Sequence, residues 1–256
     1  MLSWDLHVHP GSADEGRWGD GDAVREAARR AGVKGLVWKS HGGCTAEPVD
    51  ALPPGSPHVI ASIVLNPGIS PKDVSDALAR GVRWIWGPSR NADGSLGWEL
   101  PLPRFWTEIA EMLSDLAQPI VLATSHLSRD GRREFAEFAA TVGPVLCTVT
   151  HSLYLTDDEV GTLAGSGAVF EVDLFTLTRT VREMPLAPLA ARTDLVHSLG
   201  STIYLTSDAG QAATGDPYVF VGEELERLRP ALGQRLDQLA SSGPERVARH
   251  LEQESR

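Results

Sequence analysis

The chain carries eight histidines, and five of them follow short apolar runs. His7 and His9 form an HxH pair in DLHVHP, His41 closes VKGLVWKSH, His126 follows PIVLATS and His151 follows VLCTVT. Asp208 stands in the same relation to TIYLTS. Imidazoles gathered in a low-dielectric cavity are costly unless they are hydrogen-bonded or bind a cation. A histidine-rich, carboxylate-assisted set suits a divalent transition metal, Zn first and Fe, Mn or Ni as alternatives, in one or two ions. Such an ion lowers the pKa of water and supplies a nucleophile near neutral pH. Taken singly, each residue has a plainer reading: HxH is a weak motif, a lone His126 or His151 suits a hydrogen-bonded loop, and Asp208 suits a helix cap. The conjunction of all of them is what points to a metal centre. His58, His197 and His250 fall at a strand start or on helices and read as structural or solvent-exposed.

These residues need a scaffold that ends many strands at one place. Apolar, β-branched runs at 3–9, 33–41, 58–66, 82–87, 119–125, 145–150, 168–175 and 202–207 read as eight strands. Helical periodicity lies between most of them: about 22–31, a helix capped by Ser70 with Pro71 at its first position, about 104–116, 128–142, a capping box of Thr156 and Glu159, and 189–199. Ser242 and Glu245 offer a further capping box for a C-terminal helix. Parallel strands need helical crossovers, and eight such units predict an α/β fold closed into a (β/α)8 TIM barrel, one domain spanning 1–256. The alternative, an open doubly wound sheet, lacks its phosphate signature, because no GxGxxG follows the first strand. Barrel active sites sit at the C-terminal strand ends, where the five histidines and Asp208 fall.

Strict alternation along the first two strands points Asp5, His7 and His9 one way, as it does Lys39 and His41, and turns Leu6, Val8, Val37 and Trp38 outward. Glu171 and Asp173 share one face of the seventh strand, either as an inward pair supplying a ligand or acid or as a polar layer. Arg90, beyond the fourth strand, and Arg17 with Trp18, in the loop after HxH, could clamp a substrate anion, although most loop arginines make solvated ion pairs. Cys44 reads as an idle or packed thiol and Cys147 as core. The long loop from Ser89 to Pro103, with Trp98, reads as a lid or a packed loop.

Composition narrows the partners. Across 256 residues, 23 Lys+Arg against 34 Asp+Glu give a net charge of −11, with no basic stripe. Such a surface repels phosphate backbones, which argues against nucleic acid as a partner. Two cysteines exclude a disulfide scaffold. No apolar run reaches the ~18 residues of a membrane span, and the first residues lack a signal-peptide pattern. The expectation is a cytoplasmic protein whose partner is a small molecule, its number of subunits left open, a homo-oligomer included.

The order HxH, His, His, Asp over the first, fifth, sixth and eighth strands resembles the amidohydrolase superfamily of metal-dependent barrel hydrolases. DLHVHPG, LVWKSH and SDAGQ are similar to an uncharacterised branch related to it. The resemblance implies that His7, His9 and Asp208 bind one metal and that His126 and His151 bind a second or orient substrate. It implies that Asp208 shuttles a proton while a C–N bond in an amide, lactam, cyclic imide or amidine is hydrolysed. The family's bridging lysine or glutamate on the fourth strand is missing from WIWGPSR, and Lys39 is the nearest substitute, as a carboxylated bridge, a substrate anchor or a proton donor. His41 is similar to the closing histidine of the polymerase-and-histidinol-phosphatase phosphoesterases. A phosphoesterase, a non-hydrolytic lyase, decarboxylase or isomerase, and a ligand-binding pseudoenzyme are therefore the alternative readings.

Overall fold

Short parallel strands alternate with helices along most of the described chain. The computed structural model describes residues 1–11, 15–45, 55–89, 103–116, 118–181 and 187–252. The strands are β1 (Trp4–Val8), β2 (Gly35–Trp38), β3 (His58–Ile60), β4 (Ser62–Val64), β5 (Trp84–Trp86), β6 (Ile120–Ala123), β7 (Val145–Val149), β8 (Val169–Asp173) and β9 (Ile203–Thr206). The helices are α1 (Gly21–Ala31), α2 (Pro71–Ala79), α3 (Pro103–Ser114), α4 (Arg129–Thr141), α5 (Asp157–Gly165), α6 (Leu174–Val181), α7 (Ala187–Ser198), α8 (Pro217–Leu232), α9 (Gln234–Asp237) and α10 (Gly243–Glu252). Local chemistry sets the starts. Asp20 accepts from the Ala23 amide ahead of α1, and Ser70–Asp73 and Thr156–Glu159 form reciprocal capping boxes on α2 and α5.

The strands form two parallel sheets, β1-β2-β3 and β4-β5-β6-β7-β8-β9. The eight-stranded closed ring expected from the sequence is not a single ladder among the described residues. The third expected strand, 58–66, is two strands with Ala61 between them, β3 in one sheet and β4 in the other. On the other side, β1 meets the segment after β9 through a Val8–Ala209 bridge and the bonds Asp208 N→His7 O, 2.8 Å, and His9 N→Ala209 O, 2.9 Å.

Two apolar clusters flank the strands. The larger, outer one unites helix faces with Leu36, Ile63, Ile85, Leu122, Phe170 and Leu205. The inner one holds Trp4, Leu6, Val37, Trp84, Trp86, Val121, Val169 and Tyr204, with Val247 and Ala248 of α10 packed against it. Alternation is kept on β8 and β9 and broken on β1. There the register steps from Asp5↔Leu36 to Val8↔Trp38, three residues against two, which is a bulge. The bulge corrects the sequence-based faces: Leu6 joins the inner cluster, while Asp5 turns to the β9 end and the Tyr218 hydroxyl of α8. Val37 is likewise inner, on the same side as Lys39, while Val8 and Trp38 pack outward as expected.

Three further differences concern helices. α6 begins at Leu174, directly after β8, where the sequence suggested strand to Phe175. α8 has no counterpart among the expected elements, although Asp216 caps it and Pro217 opens it. Glu245 pairs with Lys34 Nζ, 2.5 Å, instead of closing a capping box with Ser242.

Candidate metal centre

Every histidine at the site sits on or just beyond the C-terminal end of a strand: His7 in β1 and His9 after it, His41 after β2, His126 after β6, His151 after β7. Their rings form a continuous series, His41–His9 at 4.9 Å, His9–His7 at 5.0 Å, His7–His151 at 5.8 Å and His151–His126 at 5.0 Å between centroids. Trp86 lies under His7 at 4.5 Å. Residues remote in sequence thus converge.

Asp208 stands at the centre. Its Oδ1 is 3.3 Å from His7 Nε2 and 3.1 Å from His9 Nε2. His7, His9 and Asp208 offer ligand atoms within 4.8 Å of one another, and His151, Asp173 and Asp208 do so as well. His126 and His41 belong to neither triad and join the site through ring stacking. His41 Nδ1 bonds Ser89 Oγ, 2.8 Å.

Two buried carboxylates orient two of the rings. Glu171 Oε1 lies 3.0 Å from His7 Nδ1, and Asp173 Oδ2 lies 2.6 Å from His151 Nδ1. With Nδ1 so engaged, Nε2 of each ring is left as the atom that can ligate, the arrangement metal-bound histidines adopt. His7 Nε2 is buried with no hydrogen-bond partner, and so is His9 Nδ1. Buried polar atoms are rarely left so, and a divalent cation at the His7–His9–Asp208 triad would satisfy the His7 lone pair. The residues therefore fit such an ion. The alternation of Glu171 and Asp173 on one strand was the sequence signal for this support; Ser125, Ser89 and Trp86 gave none.

Burial, and then the positive charge of Lys39, drive His7 and His9 well below the usual imidazole range, and burial takes His126 down to about 2. These rings are neutral at pH 7, which ligation requires. Burial pushes Glu171 well above the carboxylate range, and the nearby Asp173 charge adds to it. Lys39 is fully buried with Nζ 3.2 Å from Ser125 Oγ and 4.3 Å from the Trp86 ring centre. Desolvation lowers it to about 8, against the opposing pull of Asp208, Glu171 and Asp173.

Backbone geometry marks the same rim. Among the described residues, Ser125, His151 and Asp208 are the non-glycine residues with positive φ, at 52°, 55° and 47°. Each such conformation costs about 1–3 kcal/mol and persists only where surrounding bonds enforce it. Gly210, two residues on, has φ 99°, and a Cβ there would fall 2.1 Å from His9 O, so only glycine lets this segment lie on the end of β1.

Of the other expected residues, Arg17 pairs with Gln211 in an antiparallel bridge that ties the loop after β1 to the loop after β9. Arg90 and Trp98 lie outside the described residues. Cys44 accepts from Arg80 Nη2 at 3.2 Å, away from the histidine series, and Cys147 is core. No helix among the described residues is long and apolar enough to cross a membrane.

Residues 3–98 match a family described as of unknown function (DUF6282). No curated protein matches the chain. Among solved structures, a Xaa-Pro dipeptidase with methionine bound in its active site is 11% identical with a TM-score of 0.61, over 99% of this chain and 76% of that one. An ochratoxinase of A. niger is 13% identical with a TM-score of 0.60, over 95% and 70%. An amidohydrolase is 13% identical with a TM-score of 0.58, over 100% and 76%. At these identities the likeness is one of fold. The chain has a parallel α/β fold similar to that of these structures.

Proposed function

We propose that the protein is a metal-dependent hydrolase of the amidohydrolase type that cleaves a C–N bond of a small polar molecule. The observation that carries this reading is Asp208 Oδ1 within 3.3 Å of His7 Nε2 and 3.1 Å of His9 Nε2, with His7 braced from behind by Glu171. In this reading β3 and β4 are one strand interrupted at Ala61, the Val8–Ala209 bridge is the closing contact, and the two sheets are arcs of one (β/α)8 barrel.

His7, His9 and Asp208 would hold one divalent cation, zinc in the first instance, and His151, braced at Nδ1 by Asp173, would hold a second with Asp208. When bound, the cation supplies Lewis acidity and a low-pKa water. The Asp208 carboxylate takes a proton from the attacking water and returns it to the leaving nitrogen as the new C–O bond replaces C–N. His126, neutral beside His151, hydrogen-bonds the substrate oxygen as negative charge develops on it. Lys39 adds a donor and positive charge on the inner side, and Arg17 and Arg90 would anchor an anionic part of the substrate.

The test is a panel of amides, lactams, cyclic imides and amidines offered to chelator-stripped protein before and after zinc is restored. Turnover that depends on zinc and falls by 10²–10⁴-fold in Asp208→Asn is expected. Absence of stoichiometric metal together with no turnover on reconstitution would sink the proposal. His41, stacked 4.9 Å from His9, favours the phosphoesterase alternative. Phosphate monoesters in the same panel separate the two.

A further inference from the structure

Asp5 is fully buried two residues before the HxH pair, and it is absent from both ligand triads. Its carboxylate accepts four hydrogen bonds. Oδ1 takes Thr206 Oγ1 at 2.7 Å and the Ser207 amide at 3.0 Å; Oδ2 takes Ser207 Oγ at 2.6 Å and the Tyr218 hydroxyl at 3.0 Å. Ser207 Oγ in turn accepts from the Ala209 amide, 3.0 Å. Three of the four bonds therefore come from the two residues before Asp208, and the Ser207 hydroxyl carries the restraint to the residue after it. Asp208 itself has φ 47°. A non-glycine residue in that region relaxes unless its neighbours are held on both sides.

We propose that Asp5 is a positioning residue, a clamp that holds Asp208 in the left-handed conformation that brings its carboxylate to His7 and His9. The bulge on β1 is what makes the clamp: it turns Asp5 to the β9 end while His7 and His9 face the site. Tyr218, which belongs to α8, fixes the second oxygen and ties the clamp to the outer helix layer. This inference rests on the reading of Asp208 as the functional carboxylate, but it concerns where that carboxylate sits and is measurable without catalysis.

The experiment compares wild type, Asp5→Asn, Tyr218→Phe, Asp208→Asn and the Asp5→Asn/Asp208→Asn double variant, all chelator-stripped. Asparagine keeps the size of Asp5 and loses one of its two accepting oxygens; phenylalanine removes one donor alone. Side-chain ¹H–¹⁵N spectra report each imidazole nitrogen. Asp208→Asn is expected to move the Nε2 resonances of His7 and His9, and Asp5→Asn to move the same resonances while those of His126 stay. Tyr218→Phe should move them by less. Zinc titration should show a 10–100-fold weaker affinity for Asp5→Asn. The double variant should bind no more weakly than Asp208→Asn, because the clamp acts through that carboxylate. A folded Asp5→Asn protein with unmoved His7 and His9 resonances overturns the proposal, as does strict additivity in the double variant. If Asp5→Asn does not fold, Tyr218→Phe decides on the same resonances. If wild type binds no zinc, the metal reading fails while the spectra still decide the clamp.

Discussion

His126 gives the site a measurable acid sensitivity. Unfolded, its ring titrates near 6.5; in the native protein burial holds it down to about 2. Below pH 6.5 the unfolded chain therefore binds a proton that the native chain refuses, and stability declines as pH falls from there until the native ring protonates near pH 2. Between pH 7 and pH 5 the linkage amounts to about 2 kcal/mol from this one residue. His7 and His9 act in the same direction, and Glu171, raised in the native state, acts in the opposite one. The clean quantity is thus a difference between proteins. His126→Gln removes the titrating group and leaves the other three in place. Urea unfolding of chelator-stripped wild type and His126→Gln at pH 7 and pH 5 measures it. Wild type should lose about 2 kcal/mol more than the variant over that interval, a large part of a stability of ~5–15 kcal/mol. Parallel losses in the two proteins would show that His126 titrates freely and is not held neutral against its neighbours.

Glu171→Gln keeps the shape of the residue behind His7 and removes its charge; zinc affinity measured with a competing chelator should fall by about 10–100-fold with the secondary structure intact. Gly210→Ala places a methyl group against His9 O in a backbone region closed to alanine, and chemical denaturation should show a loss of about 3 kcal/mol.

The convergence of the candidate site residues was legible because their position in the chain carries the information. A histidine or aspartate that follows an apolar run of strand length is placed at a strand end by the fold itself, and parallel connection puts all those ends on one side. The orientation of those residues was less legible. Period-two reasoning assigns Asp5 and His7 to one face, and the single extra residue in β1 defeats it; nothing in WDLHV announces a bulge. The break at Ala61 is equally silent, since HVIASIVL reads as one apolar run. α6 was hidden because Asp173 serves twice: one oxygen bonds His151 and the other caps the helix through the Thr176 amide at 2.6 Å. A strand that becomes a helix with no intervening turn residue leaves no punctuation to read. α8 differs, because Asp216-Pro217 is an ordinary start signal that local pattern was sufficient to reveal.

α10 has a consequence for how the molecule is made. Val247 and Ala248 floor the inner cluster that Trp4, Leu6, Trp84 and Trp86 build from the other end of the sequence. Gly243 permits this closeness, since a side chain there would strike Ile203 O at 2.7 Å. During synthesis, the tryptophans emerge long before the helix that seals them from solvent. A nascent chain whose residues 243–252 have not yet emerged therefore leaves this cluster uncovered, and chaperone dependence should persist until they have cleared the ribosome.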